Sequence, residues 1–250
     1  MPHRRTRDTE PMDWTLHWDH KASGDPSVLD CPHTNTEDDH PILCKALEDA
    51  VQLLKKGKSA GVGNIPTELI QAGGEDVITA LTTICNKIWQ TGEWSTLWTQ
   101  SLVITLPKKG NLQQCQNYRT IGLISHQSKV MLKIMLNRLK LQAEKIIAAR
   151  RTTEQINNLR ILCERYLQHQ QDLCHVFIGF KKAFDRVWHA ASWAAMKKYN
   201  VSTSLIRVIE NLYDKVTGAV FFNSGIGDWF RTTTGVRQGS LLSPTLFGLW

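Results

Sequence analysis

Helix-period stretches and short β-branched runs alternate along this chain, and that interleaving confines it to a mixed fold. Leu43, Leu47, Val51 and Leu54 recur at helical spacing, and their stretch closes on Lys55-Lys56-Gly57. Lys58-Ser-Ala-Gly-Val-Gly-Asn-Ile-Pro66 then reads as a loop punctuated by glycine. A second apolar stripe predicts a helix over 75–90. The run Ser101-Leu-Val-Ile-Thr-Leu106, bounded by Pro107 and Gly110, predicts a strand.

Two long amphipathic helices are expected over 127–148 and 153–168. The short apolar run His175-Val-Phe-Ile-Gly-Phe180 reads as a buried strand leading into the polar turn Lys181-Lys182. Helices are expected over 189–199 and 202–214, the second capped by Ser202 or Thr203. Ala219–Phe222 and Trp229–Thr232, divided by a glycine-rich turn, predict a hairpin. Gly235-Val-Arg-Gln-Gly-Ser240 is expected to open a last helix. The fold class is α/β (α+β).

Composition narrows the functional classes. The 250 residues are 42% hydrophobic and 21% charged, a globular balance with room for one large domain or two small ones. Residues 1–41 differ: poor in aliphatics and rich in Pro, Asp, His and Thr, they read as a loosely ordered leader. Cys31, His33 and His40 fall there and Cys44 just after, but their spacing fits no common zinc finger, so they read as scattered surface residues. Net charge is +7 with an isoelectric point near 9.1, which favours RNA or DNA as partner. The six cysteines form no CxxC pair, and the start Met-Pro-His-Arg-Arg is not signal-like. A reduced, intracellular setting is expected, nuclear or cytoplasmic. No apolar stretch reaches the roughly 20 residues that span a bilayer, so no membrane partner is expected.

Five blocks carry the chemistry when taken in order: Lys58-Ser-Ala-Gly-Val, Leu106-Pro-Lys-Lys-Gly110, Asn117-Tyr-Arg-Thr-Ile121, Phe180-Lys-Lys-Ala-Phe-Asp-Arg-Val187 and Gly235-Val-Arg-Gln-Gly-Ser-Leu-Leu-Ser-Pro244. Each is weak alone. Their order, spacing and flanks together resemble the reverse transcriptases of non-LTR (LINE-type) retrotransposons, over about residues 42–250. The resemblance implies a partial right-hand polymerase, with a fingers-like helical region at 42–170 and an incomplete palm at 171–250. It also implies RNA-directed DNA synthesis with two magnesium ions held by carboxylates.

Departures from the family pattern change the expectation. Where the family carries a metal-binding aspartate at the end of the first palm strand, this chain has Gly179. Asp185, six residues on and past a turn, is expected to cap a helix or form a salt bridge instead of binding metal. The family's adjacent aspartate pair belongs beyond Pro244, further on than Trp250. No catalytic residue and no retained magnesium are therefore expected. Loss of even one such carboxylate costs orders of magnitude in rate, so the chain is expected to lack polymerase activity of its own. A basic loop of the family is missing around Ala148-Ala-Arg-Arg-Thr152, and Gly63 and Gly122 replace the usual Asp and Ser; these add to a reading of the chain as a truncated, decayed copy.

Substrate-facing positions remain by the same resemblance. Phe184 matches a residue that packs beneath the incoming sugar; the alternative is a core phenylalanine. Gln238 and Gly239 match the block over nucleotide and template; the alternative is a helix-start turn. Lys108, Lys109 and Arg119 match basic positions near the triphosphate; the alternative is a solvated basic face. Lys181, Lys182, Arg186 and Arg237 are further candidate phosphate contacts, and any binding of RNA or DNA is expected to be weak and non-specific. Ala219–Phe222 and the strand ending near Gly179 are expected to present unpaired edges or exposed apolar faces, with poor solubility or a partly molten state as the consequence.

Overall fold

A computed structural model describes residues 40–114, 117–149, 152–180, 182–222 and 225–249, without the side chains of 144–149. The leader, apart from His40 and Pro41, lies outside the described residues, as does Lys181. The described residues form nine α-helices and one four-stranded sheet: α1 Cys44–Gln52, α2 Thr67–Ala72, α3 Gly74–Thr91, α4 Thr96–Thr99, β1 Gln100–Pro107, β2 Tyr118–Leu123, α5 His126–Ala149, α6 Thr152–Gln168, α7 His189–Lys198, α8 Thr203–Asp214, β3 Thr217–Phe222, β4 Gly225–Arg231 and α9 Ser243–Leu249. The mixed class expected from the alternation is the one observed.

The sheet order is β2-β1-β3-β4. β1 pairs antiparallel with β2 through Leu102↔Leu123 to Pro107↔Tyr118, and parallel with β3 through Gln100↔Thr217 to Val103↔Val220. The parallel pairing requires a crossover, which the helices between β2 and β3 supply. β3 and β4 form the expected hairpin, antiparallel and irregular between Ala219 and Phe221.

Helical periodicity translates into burial. Leu47 and Val51 of α1, Cys85, Ile88 and Trp89 of α3, Met131, Met135 and Leu139 of α5, Met196 of α7, and Leu205, Ile209 and Leu212 of α8 join one apolar core. Gly92 closes α3 in the left-handed conformation (φ 72°), its N–H donating to the Ile88 carbonyl at 2.8 Å. Ser202 caps α8, its hydroxyl accepting from the Leu205 N–H at 3.4 Å. Gly61 lets the glycine loop touch the chain beyond β2, since a Cβ there would meet the Ile124 backbone at 2.7 Å. Gly63 takes a φ of 93° with open space around it, so glycine suits the turn where an aspartate was anticipated.

Several expectations need correction. Residues 171–180 form no strand, and Val176, Phe177, Ile178 and Phe180 are between 77% and 85% exposed. Both flanks of β1 are occupied by β2 and β3, and the run has no ladder partner among the described residues to satisfy its backbone. Ala219–Phe222 is no edge, because β3 lies between β1 and β4, but Val220, Phe221 and Phe222 do present an exposed apolar face. The last helix starts at Ser243, after a loop over 235–242. The two long helices stand as expected, α5 ending at Ala149 and α6 starting at Thr152. β2, α2 and α4 carry too few periodic residues to have been anticipated.

Candidate functional site

Two of the quoted blocks, and Gly122 directly after a third, converge by backbone contact. The N–H of Gly235 donates to the Val187 carbonyl at 2.9 Å, that of Val236 to the Phe184 carbonyl at 2.8 Å, and that of Gly122 to the Gln238 carbonyl at 2.8 Å. Glycine makes this approach possible. A Cβ on Gly235 would lie 2.7 Å from the Asp185 carbonyl oxygen, and one on Gly122 would lie 2.8 Å from that of Gln238. A Cβ on Gly239, whose φ is 105°, would collide with the Gly122 carbonyl. Gly122, first read as a mark of decay, is therefore what its neighbours require.

Side chains complete the lock. Gln238 Nε2 donates to Asp185 Oδ1 at 2.6 Å, across 53 residues of sequence. Asp185 lies in a 3-10 turn, Ala183–Arg186, and its carboxylate accepts from this carboxamide instead of capping a helix or forming the salt bridge that was expected. The His189 ring Nε2 lies 2.7 Å from the Gly235 carbonyl oxygen, to which it donates in the Nε2-protonated tautomer. The Ser243 hydroxyl donates to the Arg237 carbonyl at 2.7 Å.

Arg237 departs from its expected role. It is 8% exposed and donates through Nη2 to the Gln100 carbonyl at 2.9 Å, while Nε and Nη1 are buried without a hydrogen-bond partner. Burial draws its pKa down to about 10, partly offset by the nearby Tyr213 hydroxyl, so the guanidinium is still charged at neutral pH. A side chain turned inward onto β1 is not a surface phosphate contact; it ties the loop to the sheet.

Above the sheet these contacts frame a cleft of about 320 Å³. Ser101, Val103, Thr120 and Gly122 come from β1 and β2, Gly218 and Phe230 from β3 and β4, and Thr232, Thr234 and 235–238 from the loop; Asp185 completes the wall. The structure thus unites Gln238 and Gly239 with Asp185 and Gly122. Phe184 is 36% exposed and stacks on Phe247 at a centroid separation of 4.6 Å, which supplies a packing partner for it. Lys108 and Lys109 are exposed in the β1–β2 connection, where the Lys108 N–H donates to the Asn117 carbonyl at 2.7 Å. Arg119 is exposed on β2 opposite Leu106. These three are not among the cleft's lining residues. His189 escaped the sequence reading, because a histidine at a helix start carries no motif of its own.

The chemistry of the donors does not fit a magnesium pair. Gly179 has no side chain, and a Cβ there would meet nothing within 4 Å. Asp185 is already engaged by Gln238. Among the described residues, no three His, Cys, Asp or Glu stand close enough to hold an ion.

The mixed α/β fold is consistent with the resemblance read from the motifs, and comparison with known proteins identifies the family. A family model described as "Reverse transcriptase (RNA-dependent DNA polymerase)" matches residues 106–250. The chain belongs to the reverse transcriptase family. It is 24% identical over 217 residues to the "Transposon TX1 uncharacterized 149 kDa protein" of Xenopus laevis, covering 84% of this chain and 17% of that protein. It is 25% identical over 221 residues to the "Probable RNA-directed DNA polymerase from transposon BS" of Drosophila melanogaster, covering 84% and 24%. The "RNA-directed DNA polymerase from mobile element jockey" of the same fly is 23% identical over 225 residues, again covering 84% and 24%. The chain therefore spans at most about a quarter of the length of these relatives. Among the described residues no helix is long and apolar enough to cross a membrane.

Proposed function

We propose that this chain is a retrotransposon reverse-transcriptase segment without polymerase activity of its own. Residues 42–170 serve as the fingers-like region and 171–250 as a partial palm, with a leader over 1–41; the sheet draws strands from both parts. One observation carries the reading. Gly179 occupies the position of the family's metal-binding aspartate, in a segment with space for a larger side chain. Packing did not force the loss of the carboxylate. The setting is intracellular and the fold keeps no cofactor. Primer extension on an RNA template with Mg²⁺ tests the reading: no product is expected from the purified chain, and any template-directed extension overturns it.

A second reading is a non-enzymatic binder of RNA or DNA, supported by the net charge of +7 and by the exposed Lys108, Lys109, Lys182, Arg186 and Arg119. Each phosphate contact contributes a slope of about 0.7–0.9 to the dependence of log affinity on log salt. Filter binding across a salt series should show weak, sequence-independent retention that falls with salt. Lys108→Ala and Lys109→Ala should each flatten the slope by about one contact. A flat, salt-independent response refutes this reading and leaves the first standing.

A further inference from the structure

The loop over 235–239 is docked by main-chain bonds to Phe184, Val187 and Gly122, so the Asp185–Gln238 bond is not needed to hold it. That bond acts on the cleft instead. Asp185 is exposed, Gln238 is half-buried, and both line the cleft wall. Arg237, the cation of that lining, is turned onto the Gln100 carbonyl and keeps its charge beneath the surface. Of the two charged residues lining the cleft, Asp185 is therefore the exposed one. The Gln238 carboxamide, the long neutral donor of the wall, spends an N–H on that same carboxylate.

We propose that the Asp185–Gln238 hydrogen bond is an autoinhibitory latch across this cleft, and that a single-stranded nucleic acid must release it to bind. The inference rests on the second reading above. Base edges and phosphate oxygens of a strand offer acceptors that replace Asp185 Oδ1 for the Gln238 amide. The carboxylate opposes both steps: it repels the phosphates, and it holds the donor that would greet the base. The latch exchanges one hydrogen bond for another and requires no covalent step.

The test is binding by the full chain at low salt, read by anisotropy with a labelled single-stranded oligonucleotide and, separately, with a labelled nucleoside triphosphate. Asp185→Ala removes charge and acceptor together and should tighten oligonucleotide binding about fivefold, the worth of one unfavourable charge near a phosphate. Asp185→Asn keeps an acceptor oxygen for Gln238 and should gain less. Adding Gln238→Ala to Asp185→Ala should remove the part of the gain that exceeds Asp185→Asn, which general electrostatics would not do. Tightening for the triphosphate alone assigns the same latch to a free nucleotide. If the wild type binds and a folded Asp185→Ala binds no better, the latch is refuted and nucleic-acid binding survives. If neither the wild type nor any variant binds, both fall together.

Discussion

Helices α5 and α6 follow one another in the chain with only residues 150 and 151 between them, yet their environments are opposite. α5 contributes Val130, Met131, Leu132, Met135 and Leu139 to the core, all fully buried. α6 has no buried residue; Ile156, Leu162 and Leu167 are 63%, 48% and 75% exposed. Both sequences carry apolar residues at helical spacing. The difference lies in partners: α5 packs against α1, α4, α8 and α9, whereas among the described residues α6 packs closely against no other element. Amphipathic pattern makes a helix face available for burial, and only a complementary face makes it stable. The same contrast separates the locked loop at 235–239 from the bare apolar run at 176–180.

The sharpest way to break this comparison is to truncate one leucine from each helix. Leu139→Ala leaves a cavity in the core and should cost about 2–5 kcal/mol. Leu162→Ala should cost under about 0.5 kcal/mol, the range of an exposed change. Urea unfolding of both variants measures the difference. Equal losses would mean that α6 is packed as tightly as α5.

Two glycines sharpen it next. Gly239→Ala forces a side chain onto a φ of 105° and against the Gly122 carbonyl, at a cost of about 2–3 kcal/mol. Gly179→Ala meets open space and should shift stability by no more than about 0.5 kcal/mol. Thermal unfolding separates them. A costly Gly179→Ala would show that residues 171–180 are held against something.

This pair also marks what the sequence made legible. Element type was readable wherever the period was long or the β-branching dense, as in α3, α5, α8 and β1. The blocks around Asn117, Phe184 and Gln238 located the walls of the cleft, because motif order survives without knowledge of packing. Interactions across distant segments were not readable. That Gly122 faces Gly239, that Arg237 turns inward to Gln100, and that Asp185 meets Gln238 are facts of tertiary approach. The run 175–180 failed for the complementary reason: apolar, β-branched residues specify strand propensity but not a partner to pair with.

A smaller effect is expected from pH at the docked glycine loop. His126 is 2% exposed, with its Nε2 3.4 Å from the Lys58 carbonyl oxygen and its Nδ1 3.2 Å from Lys129 Nζ. Burial, followed by the Lys129 ammonium, lowers its pKa below the ordinary 6.5. The unfolded chain therefore takes up a proton near 6.5 that the folded chain resists, so acidification favours unfolding. Stability contributed by the neutral ring should be present above pH 6.5 and decline as pH falls through that value. His126→Gln should flatten the stability-against-pH curve there. An unchanged curve would mean that other groups govern it.

The smallest effect on folding should come from the exposed apolar run, and it decides whether the contrast is real. Phe177→Ser and Ile178→Ser remove side chains that are 85% and 77% exposed, so the folding free energy should move by less than about 0.5 kcal/mol. Their effect should fall on association instead. Exposed apolar residues in sequence lower solubility by offering surface that neighbouring molecules can bury. The double variant should therefore bind less of a hydrophobic dye and stay monomeric to higher concentration, measured by light scattering. If instead it unfolds at a lower temperature than the wild type, residues 176–180 are packed within the folded molecule. In that event the division between a locked half and a bare half fails.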